Sequence, residues 1–279
     1  MRLTASCLAL LLALPLTGCA VDDPDGTWED TERRSQEIIG GAKVLSGEFP
    51  FMVSIQRRML VGSRHWCGGV LIDKRWVLTA AQCAYGFFER DLLVYAGSLR
   101  HSTQGQTADG EPVNVKQIIM HPDYDYYSLT NDIALLKLTH ALDIPGRQGR
   151  FGTIRLPRQG TETPRDQQVT TIGWGSTHEE GALSPELMRV ELSTVSRVEC
   201  RKAYAPGPIE DTMLCAAGPE GGKGFCKGDG GGPLFTRGSN EEPVLLGLTS
   251  WAYGCARPEY PGVFTQVSSF TDWIIKTMD

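Results

Sequence analysis

From Ile38 onward the chain is built of short apolar runs separated by turn residues. Phe51-Met52-Val53-Ser54-Ile55, Gly69 to Ile72, Trp76-Val77-Leu78, Leu92 to Tyr95, Val113 to Met120 and Ile133 to Leu138 form one set. Val169 to Ile172, Met188 to Leu192, Met213 to Ala216, Pro233 to Thr236, Val244 to Ser250 and Val263 to Val267 form a second. Runs of this length, bounded by turn residues, are strand signals. They predict a mostly β protein with two groups of six strands. Ser269 to Met278 is amphipathic, with Phe270, Trp273 and Ile274 on one face, and predicts a closing helix. No internal repeat or low-complexity tract interrupts the pattern.

The residues before Ile38 do not belong to it. Arg2 precedes an apolar stretch, Leu3 to Leu16, that is too short for a permanent membrane span and reads as a signal peptide over residues 1–19. Its end, Leu16-Thr17-Gly18-Cys19, resembles a bacterial lipobox, in which Cys19 is lipidated and becomes the mature N-terminus. Ordinary cleavage at the small-x-small site Gly18-Cys19-Ala20 is the other reading. Both place the protein outside the cytosol, as a cell-envelope lipoprotein or as a secreted protein. Residues 20–37 are acidic, turn-rich and short of apolar side chains, a solvated linker or pro-segment rather than a core.

The chain has 279 residues, 41% of them apolar, enough for a full core or two, and its 32 Gly and 16 Pro suit a turn-rich β fold. The net charge of −6 argues against nucleic acid as a partner. Much of it is local, because residues 22–37 hold seven acids against Arg33 and Arg34. Either processing of the N-terminus leaves six cysteines: Cys67, Cys83, Cys200, Cys215, Cys226 and Cys255. An even count in an oxidising compartment implies disulfides, in any of 15 pairings. A zinc site would need closely spaced Cys or His pairs, and there are none. Asp109 and Glu111 are two acids better read as a solvated turn than as a calcium site. No cofactor or metal is expected.

Several segments carry a resemblance. Lys227-Gly228-Asp229-Gly230-Gly231-Gly232-Pro233 resembles the Gly-Asp-Ser-Gly-Gly-Pro motif of trypsin-like (S1) serine proteases, with Gly230 where the serine belongs. Leu78-Thr79-Ala80-Ala81-Gln82-Cys83 resembles the segment that carries the family's histidine, with Gln82 in its place. Asn131-Asp132-Ile133-Ala134-Leu135-Leu136 keeps the aspartate. Ile38-Ile39-Gly40-Gly41, Cys67-Gly68-Gly69, Gly173-Trp174-Gly175, Ser250-Trp251 and Pro261-Gly262-Val263-Phe264 match further landmarks in order. The resemblance covers residues 38–279. It implies two six-stranded antiparallel β-barrels, roughly 38–148 and 149–279, with a C-terminal helix. It also implies the pairings Cys67–Cys83, Cys200–Cys215 and Cys226–Cys255.

The family's chemistry needs a hydroxyl nucleophile, an imidazole base and a carboxylate that orients the imidazole. Gly230 has no side chain, and the Gln82 amide does not titrate near neutral pH. Only Asp132 and the backbone N–H groups of Gly228 and Gly230, the implied oxyanion hole, remain. The reading is a serine-protease homologue without peptidase activity that binds a protein or peptide at the old cleft, or competes with active relatives for an inhibitor. The alternative is an active serine endopeptidase. The specificity pocket is assigned to Gly224, Phe225, Ser250, Trp251, Ala252 and Gly262. Gly224 stands where trypsin has an aspartate, so no preference for Lys or Arg is expected, and Phe225 either fills the pocket or packs in the core. In the family a freed Ile amine pairs with the aspartate matching Asp229. Here Glu37 rather than a basic residue precedes Ile38, which favours an uncut chain with Asp229 paired to His65 and the surrounding loops less ordered. Membrane contact is expected only through a lipid on Cys19.

Overall fold

The computed structural model describes residues 40–102, 108–144, 151–207, 209–238, 240 and 242–279. The signal peptide, Cys19, the acidic segment 20–37 and Ile38 lie outside the described residues.

The twelve apolar runs become twelve long strands, because alternating side chains enter a closed interior. Met52–Arg58 (β2), Ser63–Asp73 (β3), Trp76–Thr79 (β4), Leu92–Ala96 (β5), Glu111–Met120 (β6) and Ala134–Leu138 (β7) close a barrel in the order β2-β3-β4-β7-β6-β5. Gln168–Gly173 (β8), Met188–Val195 (β9), Met213–Ala217 (β10), Pro233–Arg237 (β11), Pro243–Trp251 (β12) and Gly262–Gln266 (β13) form the second, which the β8–β9 pairing closes. All these pairings are antiparallel. In β9 the alternation is plain: Met188, Val190, Leu192 and Thr194 are buried while Glu191 faces water.

Two elements have no counterpart in the hydrophobic pattern. A two-residue strand, Ala42–Lys43 (β1), adds to the edge of β9 through its backbone, with both side chains exposed and Lys43 paired with Glu186. A seven-residue helix, Arg197–Ala203 (α1), starts at Ser196, whose hydroxyl caps the Glu199 N–H. The closing helix is Thr271–Met278 (α2), shorter than expected because Val267–Ser269 forms a 3-10 turn. Three disulfides join Cys67 to Cys83, Cys200 to Cys215 and Cys226 to Cys255.

The largest core cluster runs between the barrels. Phe51, just before β2, and Phe235 on β11 meet edge to face at 5.3 Å, and Phe49 approaches the same Phe235 ring at 5.3 Å. Trp174, fully buried after β8, donates its indole N–H to the Leu99 carbonyl of the first barrel at 3.0 Å. Edge-to-face pairs add to the apolar burial of the rings themselves. Phe235→Ala is expected to destabilise the protein by about 3–5 kcal/mol in chemical denaturation, the usual range for a buried aromatic truncation. A loss below about 1 kcal/mol would show that the barrels do not depend on this contact.

Candidate functional site

Gln82 stands on a one-turn 3-10 segment, Ala81–Cys83, that follows β4, and Asp132 lies just before β7. β4 and β7 are neighbours, with Thr79 opposite Ala134, and this register brings the two residues together. Asp132 is fully buried and ringed by neutral donors. The Gln82 backbone N–H reaches Oδ1 at 2.8 Å, the Gln82 amide Nε2 reaches Oδ2 at 2.6 Å, and the Ser250 hydroxyl reaches Oδ2 at 2.6 Å. Nε2 also donates to the Ser250 carbonyl at 2.8 Å. Turning the amide over would set its oxygen against two acceptors, so the network fixes its orientation. Burial pushes the Asp132 carboxyl above its ordinary range, against the pull of the Ser250 hydroxyl and the N–H groups of Gln82 and Ala81. Thr265 on β13 donates to the Asp132 main-chain carbonyl at 2.7 Å.

The glycines of the neighbouring loop are there for different reasons. Gly228 and Gly231 have φ of 97° and 75°, the left-handed region that L side chains avoid. A Cβ on Gly231 would lie 2.1 Å from Thr79 Oγ1, and one on Gly228 would lie 2.5 Å from Leu183 Cδ2. Gly230 has no such constraint. Its φ is outside that region, and a Cβ there would meet only the Sγ atoms of Cys67 and Cys83, at 3.6 and 3.7 Å. Neither conformation nor space requires glycine at position 230.

The loop's peptides are held by their carbonyls. Ser176 N–H donates to Lys227 O at 2.8 Å, which fixes the plane of the 227–228 peptide and so the direction of the Gly228 N–H. Gly68 N–H donates to Gly230 O at 2.8 Å. Among the described residues, neither the Gly228 nor the Gly230 N–H has a hydrogen-bond partner.

His65 does not meet the Asp229 carboxylate, and this corrects the pairing expected from the sequence. Its Nε2 donates to Gly228 O at 2.9 Å, and its Nδ1 accepts from the Ser54 hydroxyl at 2.7 Å. Both ring nitrogens are therefore engaged with neutral groups. Burial drives its pKa down to about 3, the Gly228 carbonyl pulling it up and His101 pushing it further down, so the ring is neutral at physiological pH. Asp229, equally buried, accepts the Gly175 N–H at 2.6 Å and the Cys226 N–H at 2.9 Å. Its carboxylate also explains two glycines upstream: a Cβ on Gly173 or Gly175 would come within 2.1 or 2.2 Å of its oxygens. Among the described residues no cation touches Asp229. Burial pushes its pKa from 3.8 up to about 6, against the two N–H donors.

Four of the six residues assigned to the specificity pocket line one cavity: Gly224, Phe225, Ala252 and Gly262. The Phe225 ring is buried, packs edge to face on Phe264 at 5.1 Å, and sits where a Cβ on Gly262 would come within 2.5 Å of it. What remains is space for about one water molecule. Phe225 thus fills the cavity and packs in the core at once. Ser250 and Trp251 do not line it. Ser250 serves Asp132 instead, and Trp251 packs edge to face on Tyr204 at 4.8 Å.

Sequence reasoning overlooked Ser54, Ser176 and Thr265. Ser54 and Thr265 left a trace, being polar residues inside apolar runs, and both are buried. Ser176 acts through its backbone, which no side-chain pattern marks. Asp109, expected in a solvated turn, accepts the backbone N–H groups of Leu99 and Arg100 at 2.9 and 3.0 Å.

A sequence model described as Trypsin matches residues 38–274. Trypsin-1 of Astacus astacus is 41% identical over 240 residues, 85% of this chain and 98% of that protein. Trypsin 5G1 of Aedes aegypti is 35% identical over 274 residues, 96% of this chain and 97% of that protein. Serine protease 1 of Rattus norvegicus is 35% identical over 272 residues, 97% of this chain and 99% of that protein. None of these relatives lends support to a bacterial lipoprotein.

A carboxyl whose native pKa lies above its unfolded one stabilises the fold at low pH, and that contribution is lost as the pH rises through the native value. For Asp229 the window runs from 3.8 to about 6. Comparing the protein with its Asp229→Asn variant cancels the other titrations, including the opposite one of His65. In the uncut chain the stability difference is expected to move by about 2 kcal/mol in the variant's favour between pH 4 and pH 7, as measured by urea unfolding. A flat or reversed difference would reveal a cation paired with Asp229.

Proposed function

The chain belongs to the trypsin family, and we propose that this member binds a protein or peptide at its cleft without cleaving it. The observation that carries the reading is the Gln82–Asp132 contact. Where acyl transfer needs an imidazole to relay a proton, an amide spends both hydrogens on Asp132 and the Ser250 carbonyl, and cannot act as a base. Gly230 supplies no hydroxyl. On this reading the unengaged N–H groups of Gly228 and Gly230 act as a carbonyl-binding site, and such donors alone leave about 10³–10⁴-fold catalysis over water. The occupant is a peptide segment of a target protein, or an inhibitor of active relatives.

The three disulfides support an extracytoplasmic location. A lipid on Cys19 remains part of the proposal, since it rests on the Leu16–Cys19 motif alone. Asp229 is read as the seat of the Ile38 amine if the Glu37–Ile38 bond is cut. The buried, neutral His65 and the fixed Lys227–Gly228 peptide support a loop already arranged in the uncut chain.

A second reading, an active serine endopeptidase, draws on the names of the relatives, two of them trypsins and one a serine protease. Serine-directed fluorophosphonates separate the two. No stoichiometric labelling and no turnover of casein are expected, and labelling mapped to any serine would establish the second reading. Repair gives the converse test. Gln82→His with Gly230→Ser together are expected to raise peptide hydrolysis at least about 100-fold, and either change alone only slightly, because nucleophile and base act as a unit. A Cβ at position 230 meets nothing closer than 3.6 Å, so the backbone there admits the new residue. With Phe225 filling the cavity, the repaired enzyme is expected to show no preference for Lys or Arg, read from kcat/KM on a substrate panel. Failure of the double variant despite native folding would mean that the cleft itself excludes substrate.

A further inference from the structure

The hairpin between β2 and β3 ends in a feature that neither the fold nor the cleft explains. Met59 N–H donates to Gly62 O at 3.0 Å and closes a tight turn, with Gly62 at φ 72°. At its tip Leu60 and Val61 are 107% and 92% exposed, as open to water as in an unfolded chain, and Met59 is 54% exposed. Such a tip gains nothing from its own fold.

The stem carries the opposite character. Arg57, Arg58 and Arg64 are all exposed, and Arg57 lies directly across the ladder from Arg64. Like charges opposed across a ladder are destabilising. Among the described residues none of the three forms an ion pair with a carboxylate: Arg58 bonds the neutral Asn114 amide, and the Arg57 guanidinium lies 5.4 Å over the Phe87 ring. Two acids of the segment before β5 are already engaged, Asp91 with the Phe88 N–H and Glu89 with the Ile118 N–H. Three unneutralised cations on a chain of net charge −6 are therefore a local device, not a reflection of composition.

We propose that this hairpin docks on an anionic lipid bilayer. Leu60 and Val61 enter the acyl boundary, and Arg57, Arg58 and Arg64 snorkel to the headgroup phosphates. The complementarity is specific: apolar side chains at the apex and cations one to three residues below match a surface that is apolar beneath and negative above. β3 continues from Arg64 to Gly68, whose N–H holds Gly230 O. The cleft loop thus stands about 13 Å along the strand from the lipid-facing cations, and docking would hold it close to the membrane surface. This surface is separate from any lipid on Cys19 and does not depend on whether the cleft is catalytic.

The test uses the mature chain from Ala20, so that neither the signal peptide nor an acyl chain on Cys19 contributes, and sedimentation with vesicles. Binding is expected to vesicles of phosphatidylcholine with 30% phosphatidylglycerol, weakening as salt rises, and not to pure phosphatidylcholine. Leu60→Asp with Val61→Asp, or Arg57→Gln with Arg58→Gln and Arg64→Gln, is expected to lower the partition coefficient at least tenfold, with no loss of thermal stability. A Leu60→Trp variant is expected to shift its emission to the blue on anionic vesicles and to be quenched by brominated acyl chains. Equal binding to neutral vesicles, no binding, or binding untouched by these variants would overturn the proposal. So would tip-dependent binding only to protease-sensitive native membranes, which would identify a protein partner instead.

Discussion

A carboxylate that water does not reach stands where the two barrels meet, and much of the surrounding structure answers to it. Asp132 comes from the first barrel, yet two of its partners, Ser250 and Thr265, come from β12 and β13 of the second. An isolated buried charge is costly enough that the group would neutralise or the site would rearrange. Here neutral donors divide the work: two N–H groups of Gln82 and one hydroxyl on the carboxylate, one more hydroxyl on the main-chain carbonyl. Removing any one would cost Asp132 a donor in a junction that water does not reach. An amide at position 82 is among the few side chains that satisfy this place without titrating, since it offers two hydrogens in a fixed plane. Alanine there would keep the backbone donor on Oδ1 but remove the amide shared by Asp132 Oδ2 and the Ser250 carbonyl. The carboxylate thus limits what position 82 can hold, whatever the cleft does.

The strands were legible because burial on one side of a closed sheet writes itself as alternation. Each of the twelve runs picked out by hydrophobic pattern is a strand, with ends shifted by a few residues where charged positions extend the ladder, as at Ser63–Trp66 of β3. β1 left no trace because its pairing with β9 is made by backbone, and backbone hydrogen bonds are blind to side chain. α1 was legible in principle, since Ser196 followed by Glu199 is a capping pair, but seven residues offer too little periodicity to outweigh it.

Within the site the legible part was identity, and the illegible part was conformation. Four glycines crowd one loop, and sequence treats them alike. The structure separates them: Gly228 and Gly231 are held by positive φ and close neighbours, Gly232 by the approach of Asp229 O and Ile172 O at 3.0 Å, and Gly230 by nothing. Likewise Gly173 and Gly175 match the family landmark, but the reason for both glycines is the Asp229 carboxylate seated against them. His65 shows the opposite case. Sequence offered it as a partner for Asp229, yet burial between Ser54 and Gly228 O makes it a neutral strut.

Nucleophile and donor cradle therefore rest on separate foundations. A hydroxyl at position 230 is a side-chain property, and its absence disturbs no packing, since only two sulfur atoms border the empty slot. The cradle is a backbone property: Ser176 N–H on Lys227 O fixes the peptide that carries the Gly228 N–H, and Gly232 N–H on Asp229 O fixes the peptide that carries the Gly230 N–H. Because peptide planes are rigid, carbonyls held on one side leave the opposite N–H groups aimed and fixed. Changing the side chain at 230 or 82 leaves both of those bonds in place. A chain can thus lack the groups that move a proton while keeping the groups that hold a carbonyl oxygen. On the proposed reading, binding at the cleft without turnover needs no further change to the scaffold, and the tight cavity lined by Phe225 bears on which side chain accompanies a bound carbonyl.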